Sequence, residues 1–519
     1  MQTIIEVSIA LLPFAILIGG FLIFKMDALV VSAYALAAEA IVVFAYYHVS
    51  PVRIVEASLW GNATMWTGFL VLYTGQIFGQ AYRATGLLQV LLESVQSIVP
   101  ADDKEGRAVA LVTVVGGFIG AFNGFATYPV TIPGLVALGY DGIHAVTAYL
   151  VYFSWSVPFA SMFIGANIAN AATHVPVQQI AQYVGLLCIP LVFISLVGFF
   201  RILGFRFFQR ETQELFWLLG LANTLAVVLF TLVWPDYYLL TLVAAAVLSL
   251  VVLGGYGFLA KRHADAVFAT ASSLSAAVAP PIRAAAQPWS KLLKAYAPLT
   301  IGVVVVALTM VPALGPTLNK LQFTVALWGY RGIGINIFTS AGFFIFVTAM
   351  SCYLFRCKPA SMLKDLAAGS KRSASSVVTL FLGSAMVYLM VDTGQIALLG
   401  RILSSQGSAI YAALNPFLTF LGGMAFGQGL PGAFLFAQMQ MPVAPTLGIP
   451  LILLIGLVTV VAMGPPNPLK PALIRYAASL ADLKGRDGRI FRVNLPWQLL
   501  QVATIAVFSF ILILAGWAL

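Results

Sequence analysis

Apolar stretches of about 20 residues recur from one end of this chain to the other, the length a helix needs to cross a hydrocarbon layer. Of 519 residues only 8% are charged and 61% are hydrophobic, with a mean hydropathy of +0.98. A soluble domain carries roughly a quarter of its residues as charge, so this supply is too small to coat a water-facing surface. A cytosolic enzyme, a secreted module and a disordered scaffold are excluded. What remains is one all-α polytopic membrane domain.

Full-length spans are expected near 4–24, 28–49, 58–82, 143–163, 178–203, 213–234, 236–258, 295–315, 334–355, 373–399 and 496–518. The net charge of +10 sits in a few short connections: Lys261 to Lys294, Arg356 to Arg372, and Arg475 to Arg492. Basic clusters between apolar spans are the positive-inside signal, and no nucleic-acid partner is expected. Cys188, Cys352 and Cys357 are an odd set without metal-like partners, so neither a disulfide framework nor a zinc site is expected. The four histidines are scattered, and no P-loop or nucleophile motif occurs. The expectation is therefore no enzyme, no cofactor and no metal.

Two regions break the pattern of whole spans. Residues 107–139 start as a helix and break at Asn123-Gly124-Phe125-Ala126-Thr127-Tyr128-Pro129. Residues 407–474 break twice, at Gly427-Gln428-Gly429-Leu430-Pro431-Gly432 and at Gly464-Pro465-Pro466-Asn467-Pro468-Leu469-Lys470-Pro471. Gly and Pro at this density interrupt a helical hydrogen-bond ladder. Backbone freed inside hydrocarbon has to be buried in protein or line a wet cavity, so these breaks are the candidate binding sites. An internal echo supports duplication: Thr74-Gly75-Gln76-Ile77 reappears as Thr393-Gly394-Gln395-Ile396, and each is followed by Gly-Gly and then a break. Paired interrupted helices at corresponding points of two halves are the pointer to a secondary transporter. The expected organisation is a first transmembrane half at 1–258 containing the interrupted helix at 107–139. A cytoplasmic linker at 259–294 and a second half at 295–519, with interrupted helices at 407–474, follow. About 11–14 transmembrane helices are expected, some interrupted or re-entrant, in two repeats.

Polar residues inside these spans are the candidates for chemistry. Glu39 lies mid-span, where a carboxylate costs about 2.5–3.5 kcal/mol on insertion scales. It must be partnered, protonated or wet, and it is a candidate for coupling. Asp392 beside the second Thr-Gly-Gln-Ile copy is the other. Asn123, Gly124, Thr127, Tyr128, Gln428 and Gly429 offer neutral donors and free amides, and half-helix N-termini there would present positive dipole ends to an anion. Ser154, Ser161 and Asn167 form a polar stripe around Pro158, open to reading as substrate contact or as helix–helix glue. Asn467 and Lys470 complete the set, Lys470 as a counter-charge for an anion or as a positive-inside residue.

At these residues the chain resembles the lactate permease family. The run Gly117-Phe118-Ile119-Gly120-Ala121-Phe122, then Pro129-Val130 and Gly134-Leu135-Val136-Ala137-Leu138-Gly139-Tyr140, follows the most recognisable stretch of that family. Ser156-Val157-Pro158-Phe159-Ala160-Ser161-Met162 follows its next one. The family break carries a Glu and a longer Gly-Ala-rich run; here Asn123 stands near the Glu position. The later break carries Lys470 in place of a Lys just after its Gly, and Gly427 to Gly432 replace a Ser/Thr/Asp-rich stretch. The resemblance implies a multi-pass plasma-membrane symporter, in a bacterial or archaeal inner membrane. Its expected cargo is a small organic anion such as lactate or glycolate, taken up with protons. The alternatives are Na⁺ coupling, exchange of another organic anion, or a non-transporting membrane partner with a decayed site. Lipid is the expected surround, with homodimerisation left open.

Overall fold

The computed structural model describes residues 2–516 apart from 21–23, 25, 100–102, 272–288, 312, 327–329, 331, 406, 426–428 and 484. Most of the expected linker, and Gln428 with the centre of its break, lie outside the described residues.

Nearly everything described is helix. The chain opens with α1 (Gln2–Ile18), α2 (Ala28–Ala45), α3 (Pro51–Thr64), α4 (Trp66–Ala84) and α5 (Leu87–Ile98). Then α6 (Lys104–Ala110) runs through a π-helical turn at Leu111–Val115 into α7 (Gly116–Phe122), and α8 (Tyr128–Ala137) follows the first break. Next come α9 (Gly142–Ser156), α10 (Ala160–Thr173), α11 (Val177–Leu203), α12 (Arg210–Val227), α13 (Thr241–Ala271), α14 (Trp289–Thr309) and the short α15 (Gly315–Asn319). An antiparallel hairpin, β1 (Phe323–Val325) with β2 (Ile333–Ile335), pairs Thr324 with Gly334. The chain closes with α16 (Ala341–Ser351), α17 (Met362–Asp392), α18 (Gln395–Ser404), α19 (Ser408–Ala425), α20 (Gly429–Leu447), α21 (Leu451–Met463), α22 (Pro471–Ser479) and α23 (Asp487–Leu514).

Among the described residues, nine helical stretches are long and apolar enough to cross a membrane. Their outward faces stay apolar: Ile41, Val251 and Val507 are each 60% exposed or more, as suits a chain whose solvent is lipid. Three expected spans differ. The one at 334–355 opens as β2 and continues only as the 11-residue α16, because a short apolar run reads equally as strand or helix. The one at 58–82 is divided at Met65 between α3 and α4. The one at 143–163 is broken inside, as described below.

The two parts of the chain interleave. From the second part, α17 packs against α2, α3 and α4, and α16 against α4; from the first, α11 packs against α21 and α23. The element order after each Thr-Gly-Gln-Ile copy also runs in parallel. A short amphipathic helix (α5, then α18) comes first. A helix–break–helix unit (α7/α8, then α19/α20), a second such unit (α9/α10, then α21/α22) and a long helix (α11, then α23) follow. The copies themselves sit differently, Thr74 to Ile77 within α4 and Thr393-Gly394 at the junction of α17 and α18.

Candidate functional site

Three helix breaks meet beside α4. At the first, Asn123 leaves the helix with an extended backbone (φ −154°, ψ 106°) and its side chain does two jobs. Oδ1 accepts from the Phe125 amide at 3.0 Å, capping the 3₁₀ turn Gly124–Thr127, and Nδ2 donates to the Gly75 carbonyl on α4. Position 75 has to be glycine for this approach, since a Cβ there would stand 3.2 Å from Asn123 Nδ2.

The second break is absent from the sequence reading. Between α9 and α10 the chain makes a 3₁₀ turn at Val157–Phe159, started by Pro158, and Ser161, Met162 and Phe163 then take left-handed conformations with φ of 52°, 54° and 58°. Left-handed backbone costs about 1–2 kcal/mol per residue outside glycine, and such strain collects where function needs it. Asn167 donates to the Phe163 carbonyl at 3.2 Å, satisfying an acceptor that the break frees. Ser161 Oγ accepts from the Gly124 amide at 3.2 Å, tying the first break to the second.

At the third break, Gly464 (φ −86°, ψ −90°) and two prolines end α21, and Asn467–Leu469 form a 3₁₀ turn. Lys470 is fully buried and donates from Nζ to Asn467 Oδ1 at 2.5 Å. A Cβ on residue 464 would stand 2.7 Å from the Ser154 carbonyl oxygen and 3.0 Å from that of Val460. Both neighbours are backbone and cannot swing away. Gly464→Ala is therefore expected to cost about 1–3 kcal/mol, read as a lower melting temperature of the detergent-purified protein.

Together these segments enclose about 660 Å³ of atom-free space, within the range of small-molecule sites. The walls are Val71, Leu72, Gly75 and Gln76 of α4; Asn123, Gly124, Phe125 and Tyr128; Phe153, Val157, Ala160, Ser161 and Ile164; Gly429 and Leu430 at the start of α20; and Met463 and Asn467. Every side chain in this lining is uncharged. Of the residues expected to bind substrate, Asn123, Gly124, Tyr128, Ser161, Gly429 and Asn467 are brought together here. Four others stand back from the cavity. Thr127 is bonded to the Gly124 carbonyl at 2.6 Å and to the Tyr149 hydroxyl. Ser154 donates to Gln498 Oε1 at 3.1 Å, Asn167 holds the second break, and Lys470 reaches the lining only through Asn467.

The sequence reading passed over α23. Asn494, Gln498 and Gln501 are fully buried on one face of it, at helical spacing. Asn494 donates to the Pro468 carbonyl at 3.5 Å, Gln498 to Asn494 Oδ1 at 3.3 Å, and Gln501 to Ser195 Oγ and the Val151 carbonyl at 3.0 Å. Three amides at i, i+4 and i+7 in an apolar span are a legible stripe. Gln76, quoted only as part of the echo, lines the cavity.

The two candidate coupling carboxylates lie outside this lining, in unlike surroundings. Asp392, at the end of α17 and with 23% of its side chain exposed, pairs with Arg53 at 3.2 Å, and Arg53 in turn stacks 4.2 Å over the Tyr330 ring. Glu39 is wholly buried and accepts from Gln395 Nε2 at 2.5 Å. Among the described residues, no group of three or more His, Cys, Asp or Glu is placed to hold a metal.

Interrupted helices closing on a buried polar cavity are the build of polytopic membrane transport proteins as a class. A family model described as L-lactate permease matches residues 6–329 and 332–515, and the chain belongs to that family. It is 22% identical over 459 residues to the L-lactate permease of Salmonella typhimurium, covering 82% of this chain and 80% of the relative. It is 23% identical over 479 residues to that of Bacillus subtilis, covering 82% and 81%. A solved structure, the Alcanivorax borkumensis YdaH transporter, aligns over 87% of each chain with 14% identity and a TM-score of 0.45, a likeness too distant to carry an argument. The protein is a multi-pass protein of the plasma membrane, and its named relatives are permeases rather than enzymes.

Proposed function

We propose that this protein takes up a small organic anion, a 2-hydroxy monocarboxylate such as lactate or glycolate, by proton symport. The observation that carries this reading is the cavity: three helix breaks meet around uncharged donors, with the buried Lys470 one hydrogen bond behind Asn467. A monocarboxylate fits such a site because amides and hydroxyls hold it without a desolvated ion pair, while Lys470 supplies a positive field in a low dielectric. The start of α20 at Gly429 adds a helix N-terminus on the same wall. Tyr128, Ser161, Gln76 and Asn467 would orient the hydroxyl and carboxyl groups. Asn123 would keep the first break against α4. Alternating access would rock the two parts of the chain, 1–258 and 295–519 joined by the 259–294 linker, around this site. The names of the relatives bring lactate to the head of the substrate list, and a buried carboxyl, Glu39 or Asp392, would carry the proton.

The test is uptake by purified protein in proteoliposomes under an inward proton gradient. The panel is lactate, glycolate, pyruvate, acetate, a dicarboxylate, a sulfonate and a neutral analogue. Gradient-driven accumulation of a hydroxy acid, with the neutral analogue excluded, is the expected result. Folded protein that moves none of the panel, or that moves it only with Na⁺, would overturn the reading.

A further inference from the structure

We propose that the proton-carrying group is Glu39, positioned by Gln395 in a closed site of its own, apart from the anion cavity. The inference deepens the proton-symport reading and rests on it. Three observations carry it. Glu39 and Gln395 are each 0% exposed, one from the middle of α2 and the other from the first residue of α18. Among the described residues, the one hydrogen bond to this carboxyl comes from Gln395 Nε2, at 2.5 Å, and the same nitrogen also donates to Thr393 Oγ1 at 3.0 Å. Two oxygens of the pair, Glu39 Oε2 and Gln395 Oε1, are buried without any partner.

A buried carboxylate with one donor and an orphan oxygen is costly, and the cost falls when that oxygen takes a proton. Loading is a simple addition: an O–H bond forms on the carboxylate with a proton from the water on one side. Release on the other side breaks the same bond and restores the negative charge. A metal cation suits the site less well. The Gln395 amide turns its N–H toward the carboxyl, and the adjoining end of α18 is a helix N-terminus, which disfavours a fixed positive ion and favours a carboxylate.

The charged and titratable groups on the elements packed around α2 are Glu6 on α1, Arg53 and Glu56 on α3, Tyr388 and Asp392 on α17, and Arg401 on α18, with Tyr47 just past α2 itself. Arg53 and Asp392 are bound to each other. Asp392 is therefore compensated and partly wet, and protonating it would break an ion pair. Glu39 is neither compensated nor wet. The two Thr-Gly-Gln-Ile copies thus have divided tasks, Gln76 on the cavity and Gln395 on the carboxyl.

Two measurements decide this. In proteoliposomes, L-lactate uptake by Glu39→Gln is expected to lose its dependence on external pH, Glu39→Asp to restore it, and Gln395→Ala to move its midpoint. In pH-difference infrared spectra of the purified protein, the carbonyl band of a protonated carboxyl is expected in wild type and in Asp392→Asn, and to be missing from Glu39→Gln. An unchanged band or pH profile in Glu39→Gln overturns the proposal, as does a band removed by Na⁺ at constant pH. Should wild type move no lactate, the symport reading fails on the transport assay while the infrared band still decides where the proton sits.

Discussion

Replacing Lys470 with methionine is expected to lower L-lactate uptake by about 100-fold and to leave the protein at least as resistant to heat. Lys470 is 1% exposed, and among the described residues no carboxylate pairs with it; its ammonium nitrogen donates to Asn467 Oδ1. A buried basic group without an acid partner destabilises the fold that holds it. Methionine keeps most of the volume and removes that cost. Hydrogen bonds to charged groups are worth about 1.5–3 kcal/mol, and the upper part of that range is about 100-fold in rate. Initial uptake rates and melting curves, taken together, separate the outcomes. Unchanged uptake would remove Lys470 from anion recognition, and a parallel fall in uptake and melting temperature would make it a scaffold residue.

Asn123→Asp is expected to be nearly as damaging, for the opposite electrostatic reason. The substitution keeps the shape and the acceptor for the Phe125 amide, but turns the donor that meets the Gly75 carbonyl into an oxygen. Two oxygens then face each other in a buried place, and a negative charge enters the wall of a cavity proposed to hold an anion. A fall in uptake of about 10–100-fold is expected, from one lost hydrogen bond and one unsatisfied carbonyl at about 1–3 kcal/mol. Asn123→Ala, which lacks the added charge, should retain more uptake than Asn123→Asp. The reverse order would mean that the first break tolerates a carboxyl and that its charge is not what matters.

Parts of this architecture were legible in the residues, and parts were not. The breaks at Asn123 and Gly464 announce themselves because glycine and proline remove the ladder at the place where the helix stops. The break at Ser161 to Phe163 does not, because ordinary side chains adopt its left-handed turns and tertiary bonds from Asn167 and Gly124 hold them. Pro158 is its one local trace. The β1–β2 hairpin was hidden for another reason: Ile333-Gly334-Ile335 is apolar, and three residues are too few to establish a period. At the site, which residue types were unusual for hydrocarbon could be read, whereas their partners could not. Gln395 reaches Glu39 across 356 positions, and Ser154 reaches Gln498 across 344. Such pairings are set by how α2 meets α18 and how α9 meets α23, which no local pattern encodes. Lys470 is the clearest case. Its position suggested a residue at the water boundary, and the fold turns it inward.

The π-helical turn at Leu111–Val115 gives the first half a fixed ruler. It fits one residue more than an α-turn of the same rise would, and it sits between an anchored start and the Asn123 break. That start is fixed by the Asp103 cap on the Gly106 amide at 2.7 Å and by Lys104 on the Gly139 carbonyl at 3.0 Å. Deleting one residue here would relax the turn to ordinary helix and rotate all that follows by about 100°, swinging Asn123 away from Gly75. The identity of these five buried side chains is therefore open to drift under evolution, but their number is not. A family tree of this protein should carry abundant Leu, Val, Ile and Thr exchanges across 111–115 and no gap.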